Sequence, residues 1–205
     1  MKRLLPFRDY SEHDVVNIFA LDTANTYLSD TGDGDAGVIV KVSNGAITND
    51  AAQYVASSYL GKTDYPNVGR NGYPEVPLKV GVAGSGEAAL GITLFETAMY
   101  DENGEKLLYY RQKALENQAV LSGQAVPVLK RGTVTLSSAA FESSIPAPST
   151  ALSVRSGGKF GEAESGDSVY GMVLATGERI AGATADYFAG AAGATGTYAI
   201  VSIDF

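Results

Sequence analysis

Three aspartates within six residues, in Asp30-Thr31-Gly32-Asp33-Gly34-Asp35, are the first side chains whose types and spacing could do chemistry. Asp-Thr-Gly is the tripeptide that carries the carboxylate of aspartic proteases, where two carboxylates share one proton. Here Leu28-Ser29 precedes it, Asp33 follows it, and no second Asp-Thr-Gly or Asp-Ser-Gly occurs. Clustered acids also suggest calcium. An EF-hand loop begun at Asp33, however, would have Gly37 at its fifth position and Asn44 at its twelfth, where the metal needs an oxygen ligand and an acid. A calcium site of another kind is the runner-up; the preferred reading is a solvated acidic turn that launches the strand over 37–42 and protects its edge from mispairing.

A second stretch, LKVGVAGSGEAALG over 78–91, carries the G-x-G-x-x-A spacing of a dinucleotide-binding turn at Gly84, Gly86 and Ala89. Such a turn must open a helix. The residues that follow are Gly91-Ile92-Thr93-Leu94-Phe95, which favour a strand, so the spacing predicts a tight hairpin and no cofactor. His13 is the single histidine and the one candidate for a histidine base. No Ser in a strand-turn-helix elbow accompanies it, because Ser85 lacks the flanking pattern of G-x-S-x-G. Lys130-Arg131 is a basic pair in an acidic chain, read as a solvated turn with contact to an acidic partner as the runner-up. No catalytic, cofactor or metal residues are assigned.

Composition narrows the classes further. The 205 residues carry a net charge of -8, which opposes a nucleic-acid partner because phosphate binding needs a basic face. The absence of cysteine excludes disulfides, thiolate metal sites and cysteine nucleophiles. No apolar run approaches the length of a membrane-spanning helix, so no membrane partner is expected. Frequent Gly, β-branched residues and small polar turns point to an all-β chain.

The elements that must position any site follow from periodicity. Ser11 caps a short helix predicted at about 12–20, with Val15, Ile18 and Phe19 on one face. Strands are predicted over 37–42, 76–82, 90–96, 125–129, 132–136, 151–155, 168–175 and 197–204, with a Ser43-Asn44-Gly45 turn, after which Ile47 resumes the sheet. Residues 106–117 read as a short helix, with a strand over 107–110 competing. The stretch 57–75 is polar, rich in Tyr and aperiodic, and reads as a long surface loop; 181–196 reads as another. The predicted architecture is an all-β, Gly-rich barrel or sandwich with an N-terminal arm and one or two short helices. Residues 1–25 form the arm and short helix, and 26–205 a single β-barrel domain with the long loop at about 57–75. Leu4, Leu5, Pro6 and Phe7 make an apolar, extended arm expected to lie across a neighbouring molecule. Tyr59, Tyr65 and Tyr73 on the long loop are candidate interface anchors.

The runs SGQAVPVLKRGTVTL (122–136), LSVRSGGKFGEAESGDSVYGMVLATG (152–177) and the closing GTYAIVSIDF resemble small head-decoration, or cement, proteins of tailed bacteriophages. The matching positions are Gly132–Val134, Gly158–Phe160, Gly166-Asp167, Val169–Ala175 and Ile200–Ile203, within about residues 118–205. The resemblance implies a structural virion protein, commonly trimeric, that binds the major capsid protein on the capsid exterior and stabilises the shell. The long N-terminal part, the 57–75 loop and the 101–117 segment depart from the smallest members. A carbohydrate-binding or adhesin-like β module, with loop tyrosines stacking on sugars, is the alternative, and a nucleotide-binding enzyme using 84–89 ranks below it.

Overall fold

Val38, Ile39 and Val40 alternate between two apolar clusters, and this alternation sets the layering. The computed structural model describes residues 3–28, 32–46, 76, 78–107, 109, 111–179 and 196–205. The strands, in chain order, are β1 (Val15–Val16), β2 (Ala20–Leu21), β3 (Asn25–Tyr27), β4 (Ile39–Asn44), β5 (Lys79–Val82), β6 (Gly91–Thr93), β7 (Glu96–Tyr100), β8 (Ala119–Leu121), β9 (Val128–Leu129), β10 (Arg131–Ser137), β11 (Ala151–Arg155), β12 (Lys159–Glu162), β13 (Gly171–Arg179) and β14 (Gly196–Asp204). One helix, α1 (Arg111–Glu116), lies between β7 and β8.

Among the described residues the strands form three sheets. A six-stranded sheet runs β1-β9-β6-β4-β5-β2, and a five-stranded antiparallel sheet runs β10-β14-β13-β11-β12. These two share the main core. Ile39, Ile92 and Leu129 from the first meet Val134, Leu136, Leu152, Val154, Val173, Val201 and Ile203 from the second. The rings of Phe141, Phe160, Phe205 and Tyr170 continue that core, the last pair stacked at 5.3 Å. The opposite face of the six-stranded sheet buries Val38, Val40, Val80 and Val128 with Leu21 and Val126. Burial on both faces explains why the segment reads as an unbroken apolar run. The architecture is therefore all-β and sandwich-like, with no closed barrel among the described residues.

The third sheet, β3-β7-β8, is parallel. Parallel neighbours need a crossover, and residues 101–118 supply one that contains α1. Buried Asp101 organises it. Its Oδ1 accepts from Asn103 N at 2.9 Å and Glu105 N at 2.7 Å, and its Oδ2 pairs with Lys113 Nζ at 2.8 Å. Lys113 holds the Asp101 carboxyl below the usual carboxylate range, and Lys113 in turn is raised by Asp101 and Glu102. The competing strand over 107–110 is not formed at the described positions, Leu107 and Tyr109.

Three expectations are corrected. The helix over 12–20 is a single 3-10 turn, Glu12–Asp14, capped by Ser11 Oγ; Val15 then enters β1. Val15-Val16 is a β-branched pair, and pairing with Val128-Leu129 outweighs a weak helical face. The turn expected at 130–132 is a switch between sheets: Leu129 ends in the six-stranded sheet and Arg131 begins in the five-stranded one. Such a corner needs a bend, and Gly132 supplies it at φ 149°. The hairpin expected over 78–95 does not form either. β5 and β6 both pair with β4, from opposite sides, so residues 83–90 cross over β4. Ala83 N bonds Ile39 O and Leu90 N bonds Val40 O on the way. The long loop 57–75, Ile47 and most of 181–196 lie outside the described residues.

Close backbone approach generates a prediction. Gly158 adopts φ +62°, and a Cβ there would lie 2.6 Å from Val38 Cγ1 and 2.7 Å from Ile39 O. Gly86 adopts φ +75° with nothing within 4 Å. Both alanine substitutions meet left-handed strain of about 1 kcal/mol. Only Gly158→Ala adds overpacking of about 1–3 kcal/mol. Urea denaturation should therefore show Gly158→Ala to be the more destabilising by that difference, and equal losses would mean that the packing around Gly158 is not as described.

Candidate interaction surface

The N-terminal arm is built on the edge of the five-stranded sheet. Leu4 bridges Leu136 and Asp9 bridges Thr133, with Leu5 N bonded to Thr135 O and Ser137 N to Arg3 O, each at 2.9 Å. Leu4 is 4% exposed and belongs to the main core, and Leu5 is 3% exposed. The expectation that the arm leaves its own core uncovered is thus corrected for Leu4 and Leu5. Their apolar side chains find burial on the chain itself, and the backbone finds an unpaired strand edge to satisfy.

Arg3 pins this arm. Its Nη1 donates to Gly157 O at 3.0 Å and Gly158 O at 3.4 Å, and its Nε lies 3.8 Å from Asp35 Oδ2. None of these three partners was legible locally, because the arm reads only as an apolar, extended segment. The acidic turn is corrected in the same region. Asp33 is exposed, but Gly34 and Asp35 are buried, Asp35 at 5% exposure. Asn25 on β3 and Glu96 on β7, both unmarked by any sequence motif, enclose it. Asn25 Nδ2 donates to Asp35 Oδ1 at 2.9 Å and to Glu96 Oε1 at 3.3 Å, while Asn25 Oδ1 accepts from Gly34 N at 3.2 Å. Thr93 Oγ1 closes the turn by donating to Asp35 O at 2.9 Å. Burial pushes the Asp35 carboxyl above the usual aspartate range, against the Asn25 and Gly32 hydrogen bonds and the Arg3 charge, which act to lower it. Asp30 and Thr31 lie outside the described residues. Among the described residues no three acid or histidine side chains converge as metal ligands.

The arm presents one aromatic outward. Between its two bridges to β10 it holds two residues more than its partner strand, so Pro6-Phe7-Arg8 bulge away from the sheet. A bulge re-aims a side chain, and a proline there sacrifices no ladder bond. Phe7 sits at φ 69°, in the left-handed region, and is 80% exposed. The conformation is held by Thr135 Oγ1 donating to Phe7 O at 2.9 Å and Arg8 Nε donating to Leu5 O at 3.1 Å. Pro6 beside it is also exposed.

The other candidates do not assemble with this surface. In the G-x-G-x-x-A loop, Glu87 Oε2 accepts from Gly84 N at 2.6 Å and Oε1 pairs with Lys41. A carboxylate of the chain thus occupies the amide a phosphate would seek, and the donors lower the Glu87 carboxyl below its usual range. Tyr170 Oη packs on the same loop, 3.5 Å from Glu87 O and Ala89 N. His13 and Ser85 are exposed on separate turns. Lys130 and Arg131 are exposed, with Arg131 Nε 3.9 Å from Asp204 Oδ2. Tyr59, Tyr65 and Tyr73 lie outside the described residues.

No family model matches the chain, and no curated protein or solved structure matches it.

Arg3→Met keeps much of the aliphatic stem and removes both carbonyl contacts and the charge facing Asp35. Losing charged hydrogen bonds in a buried setting should cost about 2–4 kcal/mol. Lys130→Met, at an exposed position, should stay within about 0.5 kcal/mol. Equal denaturation midpoints for the two variants would show that Arg3 does not hold the arm.

Proposed function

We propose that this protein is a structural virion component: a decoration, or cement, protein that docks on the outer surface of a phage capsid as a trimer and stabilises the shell. The resemblance of the runs over 122–136 and 152–177 and of the closing GTYAIVSIDF to head-decoration proteins supports this reading. The major capsid protein is its partner. Pro6 and Phe7 are the contact residues this reading retains from the arm.

Phe7 is the observation that carries the docking part of the proposal. Left-handed backbone at a bulky residue costs on the order of 1–3 kcal/mol, and that cost persists only where the surroundings impose it. An exposed phenyl ring gives nothing back to the isolated chain. Burying it in an apolar pocket of another protein would return roughly 1.5–3 kcal/mol per copy. Trimeric docking would multiply the effect through effective concentration.

Phe7→Asn separates presentation from folding, since Asn tolerates left-handed backbone better than Phe. The variant should melt within about 0.5 kcal/mol of the parent or slightly above it. Its co-sedimentation with capsids lacking the decoration protein should fall about tenfold or more, the loss of roughly 1.4 kcal/mol or more per contact. Unchanged capsid occupancy by a folded Phe7→Asn protein would remove Phe7 from the docking surface. Failure of the parent protein to bind any capsid would remove the decoration reading itself.

A further inference from the structure

The buried carboxyl at the base of the arm has no role in the docking surface, yet it touches what holds that surface in place. We propose that the arm over residues 3–9 is a proton-linked latch, docked over a protonated Asp35 and loosened when that carboxyl ionises.

The geometry sets the competing forces. The arm lies directly on the turn that carries Asp35. A Cβ on Gly37 would fall 2.9 Å from Leu4 N and 3.0 Å from Arg3 Cβ, so lifting the arm opens this turn to water. Every element packed around Asp35 contributes to its electrostatics. The arm brings Arg3. The turn brings Asp33, whose charge acts on Arg3. β3 brings neutral Asn25, and β7 brings Glu96, which shares the Asn25 amide with Asp35 and so places a second carboxyl within one amide's reach. The β11–β12 turn brings only the carbonyls of Gly157 and Gly158 toward Arg3.

Ionised Asp35 gains less from its neighbours, the Asn25 and Gly32 hydrogen bonds and the Arg3 charge, than burial costs it. Its Oδ2 is buried without a hydrogen bond among the described residues, and Arg3 Nε stands 3.8 Å away, beyond hydrogen-bond distance. Arg3 Nη1 donates to the two carbonyls instead. Burial therefore outweighs attraction, and the docked carboxyl holds its proton above the usual aspartate range, chiefly through desolvation. With the arm lifted, Asp35 regains water and returns toward ordinary behaviour. Docking thus takes up a proton. Its contribution to holding the arm is fully present below the ordinary aspartate pKa and is lost as pH rises through the raised value.

The test uses the full-length protein, free of any capsid, so its outcome is independent of the decoration reading. Amide hydrogen exchange, corrected for intrinsic rates, is measured at Leu5 and Asp9 across about pH 4 to 8. Val201 on β14 serves as the internal reference. Protection at the two arm amides should fall about fivefold or more with rising pH in the parent, while Val201 stays constant. Asp35→Asn should keep the arm protected throughout. A fall of equal size in Asp35→Asn, or none in the parent, overturns the latch. Carbon-detected NMR titration of the Asp35 carboxyl in the parent provides a second reading that needs no variant. A midpoint above the ordinary aspartate range that coincides with the loss of protection supports the latch, and a midpoint within that range overturns it.

Discussion

The fold turns on the place where the chain lets Gly158 approach β4 without a side chain. Its carbonyl accepts from Ile39 N, its amide donates to Ala83 O, and Arg3 reaches across to the same carbonyl. Four segments distant in sequence meet there: the arm, the start of β4, the crossing after β5 and the turn between β11 and β12. The contact joins the two larger sheets through backbone rather than through side chains alone. Backbone groups must be satisfied when buried, so this junction fixes register as well as proximity. It also explains why an arm with a charged residue can be core. The guanidinium ends on two carbonyls of the β11–β12 turn, one of them the carbonyl that Ile39 N also reaches, and the leucines that follow enter the apolar interior.

Periodicity carried the sequence reading as far as local pairing reaches. Residues 151–155 form a strand over the same span, 197–204 differs by one residue, and the strand expected over 37–42 forms two residues later, as Ile39–Asn44 in the six-stranded sheet. These segments are regular, and their alternation or apolar continuity is imposed by neighbours on a flat surface. What periodicity could not carry was connectivity. The Gly-rich stretch after Val82 has the composition of a hairpin, but the two strands it joins flank β4, and nothing within 78–95 records that a third strand passes between them. The corner at Lys130 failed for a similar reason. A bend between sheets and a turn within one use the same residues.

The acidic turn illustrates a second limit. Aspartates beside glycines have the composition of a solvated turn, and Asp33 behaves so. At the next residue the chain packs against the paired strands β3 and β7, where Gly34 has no room for a side chain against Asn25 N and Thr97 O. Asp35 is carried inward because its backbone must reach Thr93, and its carboxyl is then accommodated by Asn25 rather than by water. Burial of that aspartate is a tertiary consequence: Arg3 faces it from the arm, and Glu96 on β7 shares with it the Asn25 amide. A local motif search sees a run of like acids; the fold places Asp33 in solvent and Asp35 in the core.

Phe7 and the leucines before it show how one apolar arm can serve two ends. The side chains of Leu4 and Leu5 face a surface that the chain itself provides, so their burial contributes to folding and is spent there. The bulge then breaks the alternation. Had the pairing continued without the extra residues, position 7 would have fallen into the ladder opposite β10, at ordinary extended dihedrals, with its carbonyl in the sheet. The inserted residues turn the backbone into the left-handed region and direct the ring to water, and Thr135 takes the carbonyl that the ladder no longer uses. The strain is therefore not an accident at a frayed end, because a frayed end would relax. It is maintained by hydrogen bonds on both sides of Phe7, and those bonds exist only while Leu4, Leu5 and Asp9 remain on the sheet. Presentation of the ring depends on docking of the arm, and docking of the arm depends on the buried charge at Arg3. Whatever shifts that charge balance reaches Phe7 without touching it.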